Sequence, residues 1–232
     1  MNKKTIFGIA VIALMAIVAF TACSKSGGSG GGGKSLNSAT ELREYLDKQP
    51  ANSPDQPIKV AIKVNDMMIG EIVGVIGSAG KYVSLDLSGS PLTEIPREAF
   101  RGCKTLAGII IPDSVTSIGF LSFCYAGLTS VTIPNSVTYI DSSAFAGCTS
   151  LTSVTIPNSV TKIDPSAFGG CDNLTSVTFQ GTIASDNLGE IYPTFVDSPF
   201  SGDLRDKYLA GGIGTYTTTA PVDWVDSIWT KQ

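Results

Sequence analysis

The chain has 232 residues, with 16 basic and 20 acidic side chains, a formal charge of -4 and no histidine. An acidic balance without a basic patch argues against nucleic acid as the main partner. The absence of histidine removes the commonest general base and metal ligand. The length suits one sizeable domain or an elongated array.

Residues 1–22 have the pattern of an export signal. Two lysines precede a nearly unbroken apolar run from Ile6 to Phe20, and small residues follow the run. The run is only a little short of a spanning helix, so a retained transmembrane anchor is the alternative. The sequence Phe20-Thr21-Ala22-Cys23 resembles the lipobox of bacterial lipoprotein precursors. This resemblance implies that Cys23 becomes the lipidated first residue after cleavage.

Residues 23–36 are predicted to be the lipidated cysteine and a tether. From Ser24 to Gly33 the chain is almost entirely Ser and Gly, a composition that cannot compensate the entropy lost on ordering. About ten such residues have an r.m.s. reach of roughly 17 Å. The expected location is the bacterial cell envelope, at the outer membrane or the cell surface, with the lipid on Cys23 as the anchor.

Residues 37–80 are predicted to form a helix-strand-helix cap. The sequence Ser38-Ala39-Thr40-Glu41 is typical of a capping box that opens a short helix. Alternating apolar residues from Ile58 to Val64 indicate a strand. Apolar residues between Ile69 and Ala79 lie on one helix face, although three glycines weaken that helix. We expect this unit to cover the exposed end of the first coil of an array.

Residues 81–180 contain a tandem repeat. The segment from Leu151 to Cys171 restates the segment from Leu128 to Cys148 nearly letter for letter, and a degenerate copy starts near Tyr82. No single copy can bury its apolar residues alone, whereas a stack of copies buries them continuously. The repeat therefore predicts a solenoid of about four regular coils.

The residues of the copy that starts at Leu151 predict how each coil turns. Val154 to Ile156 forms a short strand that ends at a proline, and Val160 to Ile163 forms a second extended piece. Asp164 is expected to cap a short helical turn with Pro165 at its first position. The copy before Leu128 lacks one residue after Phe123, so a local irregularity is expected there.

This pattern resembles the BspA-type leucine-rich repeat of bacterial surface proteins. The matching residues are Leu-x-x-Val-x-Ile-Pro-x-Ser-Val-x-x-Ile-x-x-x-Ala-Phe-x-x-Cys at 128–148 and 151–171, with looser copies on each side. The resemblance implies an α/β solenoid with parallel strands on one face. It also implies a cell-envelope protein used in adhesion or protein binding, with no enzyme activity built into the repeat.

Residues 181–232 are predicted to form a mixed C-terminal cap. Asp203 to Ala210 can form a short helix that a glycine pair ends, and Gly214 to Thr219 has the composition of a strand. Trp224 and Trp229 either pack on the last coil or bind a ligand. We expect them to pack on the coil.

The outward positions of the repeat strands form the candidate binding face. Their hydroxyl side chains should line up in columns across parallel strands. The residues are Ser130, Thr132, Ser153, Thr155, Ser176 and Thr178. Two interpretations stay open: a solvated ladder selected for β-propensity, or a flat binding platform of the kind that repeat proteins use.

Two sets of reactive side chains fall inside the repeat frame. Cys148 and Cys171 would lie close enough for a disulfide, but we expect free thiols that pack as small apolar residues. Asp141 and Asp164 occupy equivalent positions. They form either a metal or catalytic pair or two N-caps, and the Asp164-Pro165 sequence supports the caps.

The sequence lacks the motifs of common enzymes. It has no Gly-x-Ser-x-Gly elbow, no Walker or dinucleotide-binding glycine pattern and no Cys-x-x-Cys pair. We therefore expect no catalysis, no cofactor and no metal site. The predicted function is an envelope lipoprotein whose solenoid binds a protein or glycan. The alternative is a scaffolding lipoprotein that associates weakly with its own kind through the repeats.

Overall fold

A computed structural model describes residues 34–189, 191–192, 195–196, 200–219, 222 and 227–232, with backbone alone at 34, 191–192 and 195–196. The predicted signal peptide, Cys23 and Trp224 lie outside the described residues. Within those residues, no helix has both the length and the apolar character needed to cross a bilayer.

The described residues form three α-helices, one 3-10 helix and fifteen strands. The helices are α1 (Ala39–Asp47), α2 (Asp66–Ala79) and α3 (Leu204–Gly211), and the 3-10 helix is Ser185–Asn187. The strands are β1 (Lys34–Leu36), β2 (Ile58–Ile62), β3 (Val83–Asp86), β4 (Glu94–Ile95), β5 (Leu106–Ile110), β6 (Ser117–Ile118), β7 (Ser130–Thr132), β8 (Tyr139–Ile140), β9 (Ser153–Ile156), β10 (Lys162–Ile163), β11 (Ser176–Phe179), β12 (Ile191–Tyr192), β13 (Phe195–Val196), β14 (Gly214–Thr217) and β15 (Thr230–Lys231).

The repeats stack as a solenoid, as predicted. We name its turns coil 1 (82–105), coil 2 (106–127), coil 3 (128–150), coil 4 (151–173) and coil 5 (174–189). Each coil begins with one of the longer strands β3, β5, β7, β9 and β11, and coils 1 to 4 each add a short strand. The short strands pair in parallel in the order β10-β8-β6-β4. The four leucine-marked copies and the degenerate copy at Tyr82 thus each begin with a strand of the array.

A column of stacked phenylalanine rings runs through the interior of the array. Successive ring centroids lie 5.2, 5.1, 5.0 and 5.0 Å apart, and adjacent ring planes differ by at most 8°. The rings belong to Phe100, Phe123, Phe145, Phe168 and Phe200. The spacing is close to the separation of neighbouring strands, and every ring is at most 1% exposed. The coils thus share one apolar interior, as the repeat predicted.

The N-terminal cap has the predicted helix-strand-helix order. The Ser38 hydroxyl accepts a hydrogen bond from the Glu41 backbone N–H at 3.2 Å, which confirms the N-cap of α1. Strand β2 pairs in parallel with β3 of coil 1, so the cap extends the sheet of the array. Strand β1 pairs with β2, so Lys34 to Leu36 belong to the sheet and not to the predicted tether. Their backbone gains a hydrogen-bonding partner that composition does not reveal.

The predicted helical turn after Asp164 is wrong. The Ala167 N–H donates to the Asp164 carbonyl at 3.3 Å, and Ser166 has a φ of 57°. With Pro165 in second place, this is the arrangement typical of a type II β-turn. The turn carbonyls accept from the preceding coil, as in the bond of 2.7 Å from Phe145 N–H to Ala167. Hydrogen bonds between coils therefore replace the local bonds of a helix.

The C-terminal cap contains the predicted helix and strand. Strand β14 pairs antiparallel with β11 and covers the last repeat strand. Trp229 is buried, and its indole N–H donates to the Ser201 carbonyl at 3.1 Å, so this tryptophan packs as expected. The guanidinium of Arg205 on α3 donates to the Leu188 carbonyl at 2.7 Å and to the Ser185 carbonyl at 3.3 Å. These bonds join the helix to the end of the array.

Candidate functional site

The predicted hydroxyl columns lie on the outward face of the repeat strands. Ser153 is paired with Ser176 and Thr155 with Thr178, so the two columns are in register across β9 and β11. The inward positions between them are buried in both strands. The side chains of Ser130 and Thr132 on β7 are exposed like those of β9, whereas Ser176 and Thr178 are half-buried.

The C-terminal cap extends the hydroxyl face. Thr217 is paired with Ser176 and Thr215 with Thr178, and the Oγ1 atoms of Thr178 and Thr215 lie 2.9 Å apart. This pairing explains the partial burial on β11. The sequence suggested a Ser/Thr-rich strand here but gave no sign of its partner. We call the outward positions of four strands the hydroxyl face: Ser130, Thr132, Ser153, Thr155, Ser176, Thr178, Thr215 and Thr217.

The hydrogen-bonded ladder beneath this face is interrupted between coils 3 and 4. Strands β1-β2-β3-β5-β7 form one sheet and β15-β14-β11-β9 another, so within the described residues β7 and β9 are not paired. The short strands β8 and β10 of the same two coils are paired. Coils 3 and 4 are therefore hydrogen-bonded through their short strands but not through their longer strands.

The predicted irregularity lies at the end of coil 2, before the unpaired strands. The Gly127 N–H donates to the Cys103 carbonyl at 3.1 Å, and a Cβ at Gly127 would lie 1.9 Å from the Lys104 carbonyl oxygen. The irregularity after Phe123 is therefore a close approach of the coil 2 backbone to coil 1. In the next coil Val131 is only partly buried, whereas Val154 on β9 is 3% exposed.

A groove of about 420 Å³ lies where β7 and β9 separate. Its lining comes mainly from coils 3 and 4, with one residue each from coils 2 and 5. The lining residues are Asp113, Val131, Thr132, Ile133, Pro134, Asn135, Thr155, Pro157 and Gln180. Thr132 and Thr155 belong to both the hydroxyl face and this groove.

Comparison with known protein families identifies the array. Residues 81–188 match the family described as "BspA type Leucine rich repeat region", in six copies. The array is a BspA-type leucine-rich repeat region. The match includes the degenerate copy at Tyr82 and extends beyond the last regular repeat at Phe179.

Two solved leucine-rich repeat structures resemble parts of the chain. A leucine-rich repeat protein from Bacteroides ovatus is 26% identical, with a TM-score of 0.37, over 54% of this chain and 28% of that chain. A leucine rich cell surface protein from Faecalibacterium prausnitzii is 24% identical, with a TM-score of 0.36, over 66% of this chain and 45% of that chain. The matched regions thus span less than half of each of those proteins. No curated protein matches the sequence.

The cysteines of the leucine-rich repeats are buried free thiols. The Sγ atoms of Cys148 and Cys171 donate to the Phe123 and Phe145 carbonyls of the preceding coils, at 3.1 and 3.2 Å. Burial raises the pKa of Cys171 to about 12. A protonated thiol is a poor nucleophile. These cysteines therefore serve packing, in agreement with the expectation of free thiols.

The two equivalent aspartates lie in a surface network instead of capping helices. The Tyr139 hydroxyl donates to Asp164, whose other oxygen lies 2.9 Å from Lys162 Nζ. Burial and hydrogen bonds to Asp164 and Asp141 raise the pKa of Tyr139. In the described part of the chain, no group of three or more acidic or cysteine side chains is arranged to hold a metal ion. The expectation that Asp164 caps a helix is wrong because the segment after it is a β-turn.

Coil 2 also carries an aromatic residue that sequence reasoning overlooked. Tyr125 is 61% exposed and has a φ of 58°, in the place that Gly147 and Gly170 hold in coils 3 and 4. A Cβ added at Gly147 would lie 2.4 Å from the tyrosine ring, so the ring rests on the neighbouring coil. The sequence does contain a sign of this residue, because Tyr125 stands where the copies in coils 3 and 4 have glycine.

Proposed function

We propose that the chain is a lipid-anchored protein of the bacterial cell envelope whose leucine-rich repeats bind a protein or glycan at the cell surface. The hydroxyl face is the contact surface. The observation that carries this proposal is the pairing of β9, β11 and β14, which keeps the hydroxyl positions of these three strands in register. The repeat family supports a binding role, because repeat arrays present extended surfaces for recognition.

The hydroxyl face is suited to recognition by its chemistry. Each Ser or Thr side chain offers one donor and two acceptor lone pairs. Short side chains on paired strands lose little conformational freedom when a ligand binds. The buried residues beneath, such as Val154 and Val177, hold the strands in place. The face is therefore preorganised for a partner that forms many hydrogen bonds.

The anchoring part of the proposal rests on the N-terminal sequence. A lipid on Cys23 and a Ser/Gly tether would hold the repeats within a short distance of a membrane. Protease treatment of intact cells tests this placement. Cleavage of the repeats outside the cell is the expected result, and protection in intact cells together with cleavage after lysis would refute binding at the cell surface.

The binding face is tested by a double substitution, Ser153→Glu with Thr155→Glu. Two exposed carboxylates in the centre of the face should abolish capture of surface material while far-UV circular dichroism stays unchanged. Unchanged capture would exclude the face as the site. Light scattering over a range of concentrations tests the alternative, because association of the chain with itself would favour a scaffolding role.

A further inference from the structure

We propose that the groove between β7 and β9 binds a neutral glycan chain. This inference rests on the proposed function, because it assigns a ligand class and a position to part of the same face. Its starting point is the open ladder. Within the described residues β7 and β9 are not paired, and the coil before β7 is one residue shorter than the two that follow.

The width of the opening excludes insertion of a peptide strand. Some Cα atoms of β7 and β9 lie within 8 Å of each other. A strand inserted between them would need two ladder spacings, about 9.6 Å. A ligand must therefore lie across the mouth of the groove and use side chains for recognition. The backbone pairing that gives a peptide most of its affinity at a sheet edge is not available to such a ligand.

The polar lining matches the hydroxyl groups of a sugar. Thr132 and Thr155 supply hydroxyls, and Asn135 and Gln180 supply carboxamides that both donate and accept. The carboxylate of Asp113 adds a planar pair of acceptors at one end. Carboxamides and carboxylates can each engage two neighbouring hydroxyls of a saccharide ring in one plane. All three of these longer side chains are exposed at the groove.

The apolar residues of the lining lie below the polar ones. Val131 is half-buried, and Ile133, Pro134 and Pro157 are buried. The exposed polar side chains therefore supply most of the contact surface in the groove. None of the described lining residues is basic. The single ionisable group among them is acidic, so the groove favours a neutral glycan over a uronic acid polymer or a nucleic acid.

The groove has the length of a short oligosaccharide. It runs along the array from Asp113 in coil 2 to Gln180 in coil 5. A paired step between coils is about 4.8 Å, so three steps, one of them the unpaired step from β7 to β9, give at least about 14 Å. A chain of saccharide units laid along this direction would meet one coil after another, with Asn135 near its centre.

Affinity gel electrophoresis of the full chain in detergent tests the inference. The probes are three neutral polysaccharides (β-glucan, galactomannan and xylan) and one acidic polysaccharide, pectin. We expect retardation by at least one neutral probe. Asn135→Ala and Thr155→Val should each weaken that binding about tenfold, because each removes a hydrogen-bonding group.

The matched control comes from an equivalent position that lines neither the groove nor the hydroxyl face. Asn158 holds the place of Asn135 in coil 4. Asn158→Ala should keep binding within about twofold of the parent. An equal loss in this control would overturn the groove as the site.

Other results overturn the glycan inference and leave the proposed function standing. These are retardation by pectin alone, no retardation by any probe, and neutral binding that survives Asn135→Ala combined with Thr155→Val. The proposed function fails separately, when intact cells protect the repeats from protease or when the double glutamate variant still captures surface material.

Discussion

Replacement of Ser122 by alanine should stabilise the protein. Ser122 is 0% exposed, and its Oγ has no hydrogen-bond partner among the described residues. Alanine occupies the equivalent place before the stacked phenylalanine in coils 1, 3 and 4, as at Ala144 and Ala167. Coil 2 therefore buries a hydroxyl where coils 3 and 4 bury only a methyl group.

The magnitude follows from two opposing terms. A buried hydroxyl without a partner costs about 1–3 kcal/mol relative to its hydrated state. Removal of one oxygen leaves a hole of roughly 10 Å³, which at about 24 cal/mol per Å³ costs only about 0.2 kcal/mol. Ser122→Ala should therefore raise the free energy of unfolding by about 1–2 kcal/mol.

Urea unfolding followed by circular dichroism measures this change. The matched control is Ala144→Ser, which places the same hydroxyl in coil 3 and should lower the free energy of unfolding by a similar amount. In a thermal scan, each kcal/mol should shift the midpoint by about 2–4 °C for a chain of this size. A neutral or destabilising Ser122→Ala would mean that the hydroxyl has a partner in the folded protein and would refute the reasoning.

Three further predictions follow from packing and burial. Gly74→Ala in α2, where an added Cβ has nothing within 4 Å, should raise the free energy of unfolding by about 0.5–1 kcal/mol; Gly127→Ala is the contrasting variant, and its Cβ clash should prevent normal folding. Arg205→Met should cost about 2–4 kcal/mol in urea unfolding, because two carbonyls lose charged donors; an equal cost for Lys207→Met, which removes an exposed ion pair on the same helix, would contradict this. Burial raises the pKa of Cys171 from 9.0 to about 12, so the folded state binds the thiol proton more tightly than the unfolded state. The free energy of unfolding should therefore fall as pH rises from about 9 toward 12, and Cys171→Ala should make this pH dependence less steep.

The regular copies made much of the fold predictable. The apolar residues of coils 3 and 4 recur at one spacing, so the sequence alone predicts which side chains stack, and Phe145 and Phe168 do so. The outward hydroxyls follow from strict alternation with buried residues such as Val154. The turn at Asp164 was misjudged because its carbonyls bond to the adjacent coil, a preference that a local capping rule does not include.

The candidate site was only partly predictable, because it also depends on contacts between coils. The columns on β9 and β11 were expected, and the missing residue after Phe123 was visible in the copies. The sequence did not show that β7 and β9 would be left unpaired, or that Asn135 and Gln180 would line the same groove. Both features depend on how neighbouring coils contact one another, as Gly127 does at the carbonyl of Lys104.

By itself, the sequence determined the coil, its apolar frame and the direction in which its side chains point, because each copy carries that pattern within its own 22 or 23 residues. Only the tertiary structure decided where the stack opens, how β14 lengthens the hydroxyl face, and that Phe200 continues the ring column. These features join residues from different coils or from the cap. Their partners are selected by hydrogen bonding and close packing in three dimensions, which have no fixed spacing along the chain.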